Sequence, residues 1–184
     1  SADLFDRAGD QPEAINAFQT YAKSMPSDPR YAEALFRQAE ALRAMGDFSA
    51  AADVYKGLIE AKEENANADI GALADASHVP LAQAYLYDED PENDAQAESL
   101  LVNAIDGSMG TNDTQLFRDA LLELAGLYDR TDRPERAIER YDEFRNRFPD
   151  DPETASVVFR LADAHRRLGD LIEDSLNQPM PAAE

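Results

Sequence analysis

Apolar and small residues recur along this chain at three- and four-residue intervals, and the same set returns several times. Ala32, Leu35, Phe36, Ala39 and Leu42 fall on one side of a helix, and Ala51, Tyr55 and Leu58 mark the buried side of the next. Gly46 stops the first helix and Asp47 caps the second. Upstream, Asp28 can cap the first helix with Pro29 at its opening position. The pattern therefore predicts helix, tight turn, helix.

The second-helix stripe repeats at Ala14, Phe18 and Tyr21, ending at Pro26, and at Ala137, Tyr141 and Phe144, ending at Pro149; Ala97, Leu101 and Ala104 form a weaker copy. First helices carry Leu81-Ala82-Tyr85, Leu124-Ala125-Tyr128 and Leu161-Ala162-His165. When Pro26 is set against Pro149, eleven of twenty-two positions through Asp47 and Asp170 are identical. One helical hairpin cannot bury both of its faces, but stacked hairpins share a core, so each copy needs the same buried letters. Ala39, Ala82, Ala125 and Ala162 are expected to let paired helices approach closely. Phe18, Tyr55, Tyr85, Tyr128, Tyr141 and Phe144 are expected to fill the space beside them.

These letters resemble the tetratricopeptide repeat, whose motif runs L-G-x2-Y, then A-x3-F, then proline, in units of about 34 residues. Alanine stands at the motif glycine throughout, and the chain has no Trp. The resemblance extends from Ala2 to about Leu176, and the wording "YDEFRNRFPDDPETASVVFRLADAHRRLGD" is most similar to bacterial cell-envelope members, of the outer-membrane-protein assembly lipoprotein and Tol–Pal-associated types. It implies an all-α, right-handed solenoid of about nine or ten helices. We expect a single repeat domain over residues 1–177 and a loose tail over 178–184. The first repeat reads as truncated, because residues 1–8 can form only half a helix before the Gly9-Asp10 turn. After Gly169-Asp170 the motif alanine and aromatic become Asp174 and Gln178, so residues 170–177 read as a short capping helix, with Leu171, Ile172 and Leu176 over the end of the stack. Pro80 should kink or break its helix near Val79.

Charge narrows the class of partner. The net charge is −21, and nucleic acid is a poor partner for such a surface. A solubilising surface and an attraction for basic partners both account for it. No apolar run reaches the roughly 18 residues of a membrane span, no signal peptide is visible, and the absence of Cys leaves the compartment open. We expect no direct membrane insertion, and the envelope likeness favours a periplasmic or cell-envelope location over the cytoplasm. "DEDPEND" (88–94) alternates carboxylates like a calcium loop, but Pro91 stiffens its centre and the loop's glycine and final Glu are missing. His78 and His165 have no second ligand at metal spacing, and His165 takes the motif aromatic position, at the core or groove edge. Asn112 opens a three-letter glycosylation sequon. No phosphate loop or nucleophile elbow is present, and neither catalysis nor a cofactor is expected.

What remains is a binding surface. In this family the first helices line the concave face. The positions three before, one after and four after each small residue share one stripe. They read Phe36, Glu40, Arg43; Val79, Gln83, Leu86; Leu122, Gly126, Asp129; and Phe159, Asp163, Arg166. Phe36 and Phe159 either pack between helices or anchor a bound segment. The functional expectation is a scaffold or adaptor that holds a protein or peptide with apolar and basic residues in this groove. The family's variant that grips a terminal carboxylate is contradicted by Glu40, Gln83, Gly126 and Asp163, which stand where it needs Lys and Asn. The alternative is a self-assembling structural protein whose repeats stack between chains.

Overall fold

The computed structural model describes residues 11–64, 68–88, 90–107 and 114–177. Eight helices occur among them: α1 (Gln11–Ser24), α2 (Tyr31–Ala44), α3 (Phe48–Glu64), α4 (Ala68–Tyr87), α5 (Asp94–Ile105), α6 (Thr114–Arg130), α7 (Pro134–Arg147) and α8 (Thr154–Asn177). This corrects the expected nine or ten. The half-helix expected at 1–8, the tail at 178–184 and Asn112 lie outside the described residues.

The missing helix is the cap. Gly169 does not end the last first-helix, and α8 runs unbroken for 24 residues. The residues beyond Gly169 give the reason. With Asp174 and Gln178 at the motif alanine and aromatic, a second helix folded back at Gly169 would lack the buried stripe of the other copies, and Leu171, Ile172 and Leu176, expected over the end of the stack, are exposed instead. Continuing the helix keeps one backbone hydrogen bond per residue. Pro80 likewise produces no break, since α4 spans it. Its neighbours Val79, Leu81 and Ala82 are all buried, and packing on this scale outweighs one lost hydrogen bond.

The chain forms two compact units, Ser1–Phe117 and Arg118–Glu184. In the first, α1 packs on α2, α2 on α3 and α4, α3 on α4, and α4 on α5. Small residues set these contacts: Ala39, Ala51, Ala52 and Ala84 are buried together with Leu42, Tyr55 and Leu81. The α2–α3 turn closes as expected, with Gly46 at φ 81° and the Asp47 amide donating to the Leu42 carbonyl at 3.0 Å. Asp47 then accepts from the Ala50 amide at 3.2 Å as a cap. Asp28 is not the helix cap. It accepts from the Arg30 amide at 2.9 Å, holding the turn before α2, which begins at Tyr31.

In the second unit, α6 and α7 join through the same turn with different letters. Asp132 takes the left-handed place at φ 54°, and the Arg133 amide donates to the Tyr128 carbonyl at 2.9 Å. Leu121, Leu124 and Ala125 of α6 and Ala137, Tyr141 and Phe144 of α7 are buried. α8 packs on α7 through one side only, Val157, Leu161 and Ala164. Asp151 repeats the turn of Asp28, accepting from the Glu153 amide at 2.9 Å.

Candidate functional site

The stripe predicted to line a groove behaves differently from helix to helix. On α2 and α4, Phe36 is half-buried with its ring edge-on to Tyr55 at 5.9 Å, whereas Val79 and Leu86 are buried. The polar members come together. Arg43 donates to Gln83 at 2.9 Å and to Glu40 at 3.1 Å, and the Tyr55 hydroxyl donates to Glu40. Burial pushes the Tyr55 hydroxyl well above its ordinary pKa, and Glu40 raises it further. Beside this cluster lies a recess of about 390 Å³ lined by Glu40, Arg43, Ala44, Phe48 and Tyr87. Phe48 and Tyr87 were no part of the predicted stripe; their rings stand 5.6 Å apart. A larger groove of about 710 Å³ runs between α1 and α2, past Phe18, Tyr21, Met25, Arg30 and Glu33.

In the second unit, Leu122 and Gly126 are half-buried and Asp129 accepts from Tyr141 at 3.1 Å and from Arg167. Burial, with Asp129 adding to it, pushes the Tyr141 hydroxyl up to about 12. Asp163 is gripped by Arg166 at 2.9 Å and Arg167 at 3.2 Å, and Arg166 also reaches Asp170 at 2.8 Å. The first-place residue of this copy, Phe159, is 77% exposed. Ala162 and His165 beside it are also exposed, so neither takes the core place read from the repeat. Val158, Ile172 and Leu176 extend the uncovered apolar surface along α8.

Sequence reasoning missed one strong pair. Arg118 holds Asp151 in a two-pronged grip, Nε to Oδ2 at 2.6 Å and Nη2 to Oδ1 at 2.8 Å, and also meets Asp119. Arg118 holds the Asp151 carboxyl at about 2. Only the repeated P-x-D-P wording pointed towards Asp151, and nothing marked its partner 33 residues away.

No group of three or more metal-ligating side chains occurs among the described residues. Asp88 and Asp90 of the acidic turn are used internally: Asp88 accepts from the Asp90 amide at 2.9 Å and from Asn93 at 2.6 Å, and Asp90 from the Glu92 amide at 3.0 Å. Nothing in these clusters pairs a nucleophile with a base. They offer apolar surface bordered by hydrogen-bonding groups, which suits contact with another polypeptide.

Comparison with solved structures agrees on the fold. BtubC (BKLC) from P. vanneervenii matches with a TM-score of 0.69 at 16% identity, covering 100% of this chain and 81% of its own. A Podosopora anserina protein of nearly identical, kinesin-light-chain TPR-like repeats matches at 0.63 and 16%, covering 94% and 85%. MamA matches at 0.60 and 17%, covering 100% and 94%. The sequence matches no curated protein. The family model for the tetratricopeptide repeat matches residues 1–66 and 122–173, leaving out the long α4 and the α5 copy. With well over half of its residues matched, the chain belongs to the tetratricopeptide repeat family.

Proposed function

We infer that this chain is a non-catalytic protein-interaction scaffold that joins polypeptides by packing helical repeats between chains, with the uncovered side of α8 as the joining surface. The observation that carries this reading is Phe159. Its counterpart Phe36 has a second helix to pack on, whereas Phe159 stands 77% exposed among Val158, Ile172 and Leu176. Large apolar side chains left exposed at several places along one helix suit a surface that meets another polypeptide. Sedimentation tests it. The native chain should gain mass with concentration up to tens of micromolar, a range where weak association registers, while Phe159→Glu should stay monomeric. A native chain that remains monomeric, or a variant that associates equally, ends this reading.

A second reading is favoured by the Glu40–Arg43–Gln83 cluster and its recess: a segment with apolar anchors and Lys or Arg lying along the first helices. Acidic residues such as Glu33 and Glu40 would speed its association and make it fall with salt. Binding of apolar-basic peptides that is unchanged in Gln83→Ala and Phe36→Ala would remove it. The envelope-type wording around residues 141–170 supports a place in the bacterial cell envelope. No helix among the described residues is long and apolar enough to cross a membrane. Fractionation of source cells that recovers the chain away from the envelope would end that assignment.

A further inference from the structure

We propose that α8 of one copy docks in the groove between α1 and α2 of a second copy, with Ala155, Val158 and Phe159 as its plug. This rests on the reading that α8 joins chains, and goes on to name the surface that receives it.

The chain makes this contact once within itself. Ala32 of α2 is buried with Leu58 of α3 and Ile70 of α4, and Leu35, Phe36, Ala61 and Leu73 pack around them. Further along, Ala50 and Val54 of α3 pack against the cluster that holds Ala39 and Leu42 of α2. One side of α2 thus lies in a furrow walled by α3 and the start of α4. α1 repeats α3 at a spacing of 37 residues, from Ala14 to Ala51. Glu13, Ala17, Tyr21 and Ser24 therefore hold the places of Ala50, Val54, Leu58 and Ala61. α2 precedes α4 by 43 residues, from Ala39 to Ala82, which puts Arg30 at the place of Leu73. All five line the groove of about 710 Å³ between α1 and α2. That groove is the same furrow one repeat earlier, and it is open among the described residues.

The same comparison names the occupant. α2 enters its furrow with Ala32, Leu35 and Phe36, and 123 residues later α8 carries Ala155, Val158 and Phe159 at the same places. All three are exposed, Val158 at 44% and Phe159 at 77%. Among the described helices, α8 alone presents this trio at the surface. Its other side is already used. Val157, Leu161 and Ala164 pack on α7, much as Ala34 of α2 packs on Ala14 and Phe18 of α1. So α8 has the side that meets the preceding helix covered, and the side that enters a furrow uncovered.

Charge favours the contact, although the whole chain carries −21. Residues 154–162 contain Arg160, which is exposed, and no acidic residue. The groove presents Glu13 and Glu33 to it. Glu153, just before α8, comes towards Arg30, because Leu73 at the matching place packs near Ala32, the counterpart of Ala155. Ala162 and His165 follow at the places of Ala39 and Leu42, so His165 for Leu42 is matched by Glu13 for Ala50. Glu13 and Ser24 also make this furrow more polar than the one beside α3. A small plug in a partly polar groove belongs with weak, reversible contacts.

A contact between two different surfaces has a signature that a like-with-like contact lacks. Phe159→Glu spoils the plug and keeps the groove. Ala17→Arg fills the groove at its middle and keeps the plug. Ser24→Arg, at an exposed place further along, does the same should Ala17→Arg fail to fold, which circular dichroism checks. Full-length chains are sedimented at a concentration where the native chain associates. Each variant alone should associate about tenfold more weakly or worse, the effect of losing one anchor. Mixed in equal amounts, Phe159→Glu and Ala17→Arg should recover native-strength association and stop at a one-to-one dimer, because the pair retains one good plug and one good groove. Groove variants that associate like the native chain, or a mixture that stays monomeric, overturn the proposal. Phe159→Glu alone separates the two failures. If it abolishes association and the groove variants do not, α8 joins chains through some other surface. If it has no effect, the joining reading itself is wrong.

Discussion

Helices α2 and α8 begin with nearly the same words and end in different surroundings. Phe36 and Phe159, Ala39 and Ala162, and Gly46 and Gly169 hold matching places after matching P-x-D-P turns. In α2 the alanine is fully buried and the phenylalanine packs on Tyr55; in α8 the alanine is exposed and the phenylalanine 77% exposed. The difference is the next helix. Behind α2 comes α3, with Ala51, Tyr55 and Leu58 all fully buried. Behind Gly169 the corresponding letters are Asp174, Gln178 and Pro181, and α8 carries on to Asn177. A repeat letter records a packing role that only a neighbour can fulfil. The same residue is core in one copy and exposed in the other.

The largest test of that contrast is the phenylalanine pair. Phe36→Ala should cost about 2–3 kcal/mol, somewhat below the value for a fully buried ring. Phe159→Ala should change stability by less than about 0.5 kcal/mol, as surface substitutions do. Urea melts of monomeric protein compare them. A loss at Phe159 as large as that at Phe36 would mean α8 is covered within its own chain.

The turns that precede the two helices give the next effect. Asp28 and Asp151 both hold the backbone amide two residues on, at 2.9 Å, but the side-chain partners of Asp28 are exposed Arg30, at 3.4 Å, and the Tyr21 hydroxyl. Asp151 is clamped by Arg118, and both side chains are largely shielded. Asp151→Ala should cost about 2 kcal/mol or more, as for hydrogen bonds to charged groups, and Asp28→Ala about 1 kcal/mol. The first carries a pH signature. With the native carboxyl held at about 2, below its ordinary 3.8, its contribution is complete above pH ~4 and disappears as pH falls through ~2. The gap between native chain and Asp151→Ala should therefore close on acidification over that window. A gap independent of pH would show that the ion pair contributes nothing.

How much of this was legible in the sequence depends on the range of each interaction. The hairpins were readable because they depend on local letters: Gly46 at a left-handed turn, Asp47 as cap, and Ala51, Tyr55 and Leu58 on one side. Within the stripe, Glu40, Arg43 and Gln83 do meet, but Val79 and Leu86 are buried where an open groove needed them accessible. Their spacing gives the side of the helix and not how thickly that side is covered. Arg118 with Asp151, and Phe48 with Tyr87, join residues far apart in the chain, and no periodicity marks such pairs. Gly169 misled for a related reason. The letter says a helix can stop; whether it stops depends on what folding back would bury.

That point supplies the smallest and most diagnostic prediction, because the same substitution should change sign between the two copies. Gly46 sits at φ 81°, where an L side chain is strained, so Gly46→Ala should destabilise by about 1 kcal/mol. Gly169 lies inside α8, and a Cβ there would meet nothing within 4 Å, so Gly169→Ala should stabilise by up to about 1 kcal/mol by raising helix propensity. Denaturant melts read the sign, and amide hydrogen exchange along 165–177 should slow in Gly169→Ala and nowhere else. Should Gly169→Ala destabilise instead, Gly169 would be closing its helix as Gly46 does. The unbroken α8 would then be wrong, and with it the open surface on which the proposed joining of chains depends.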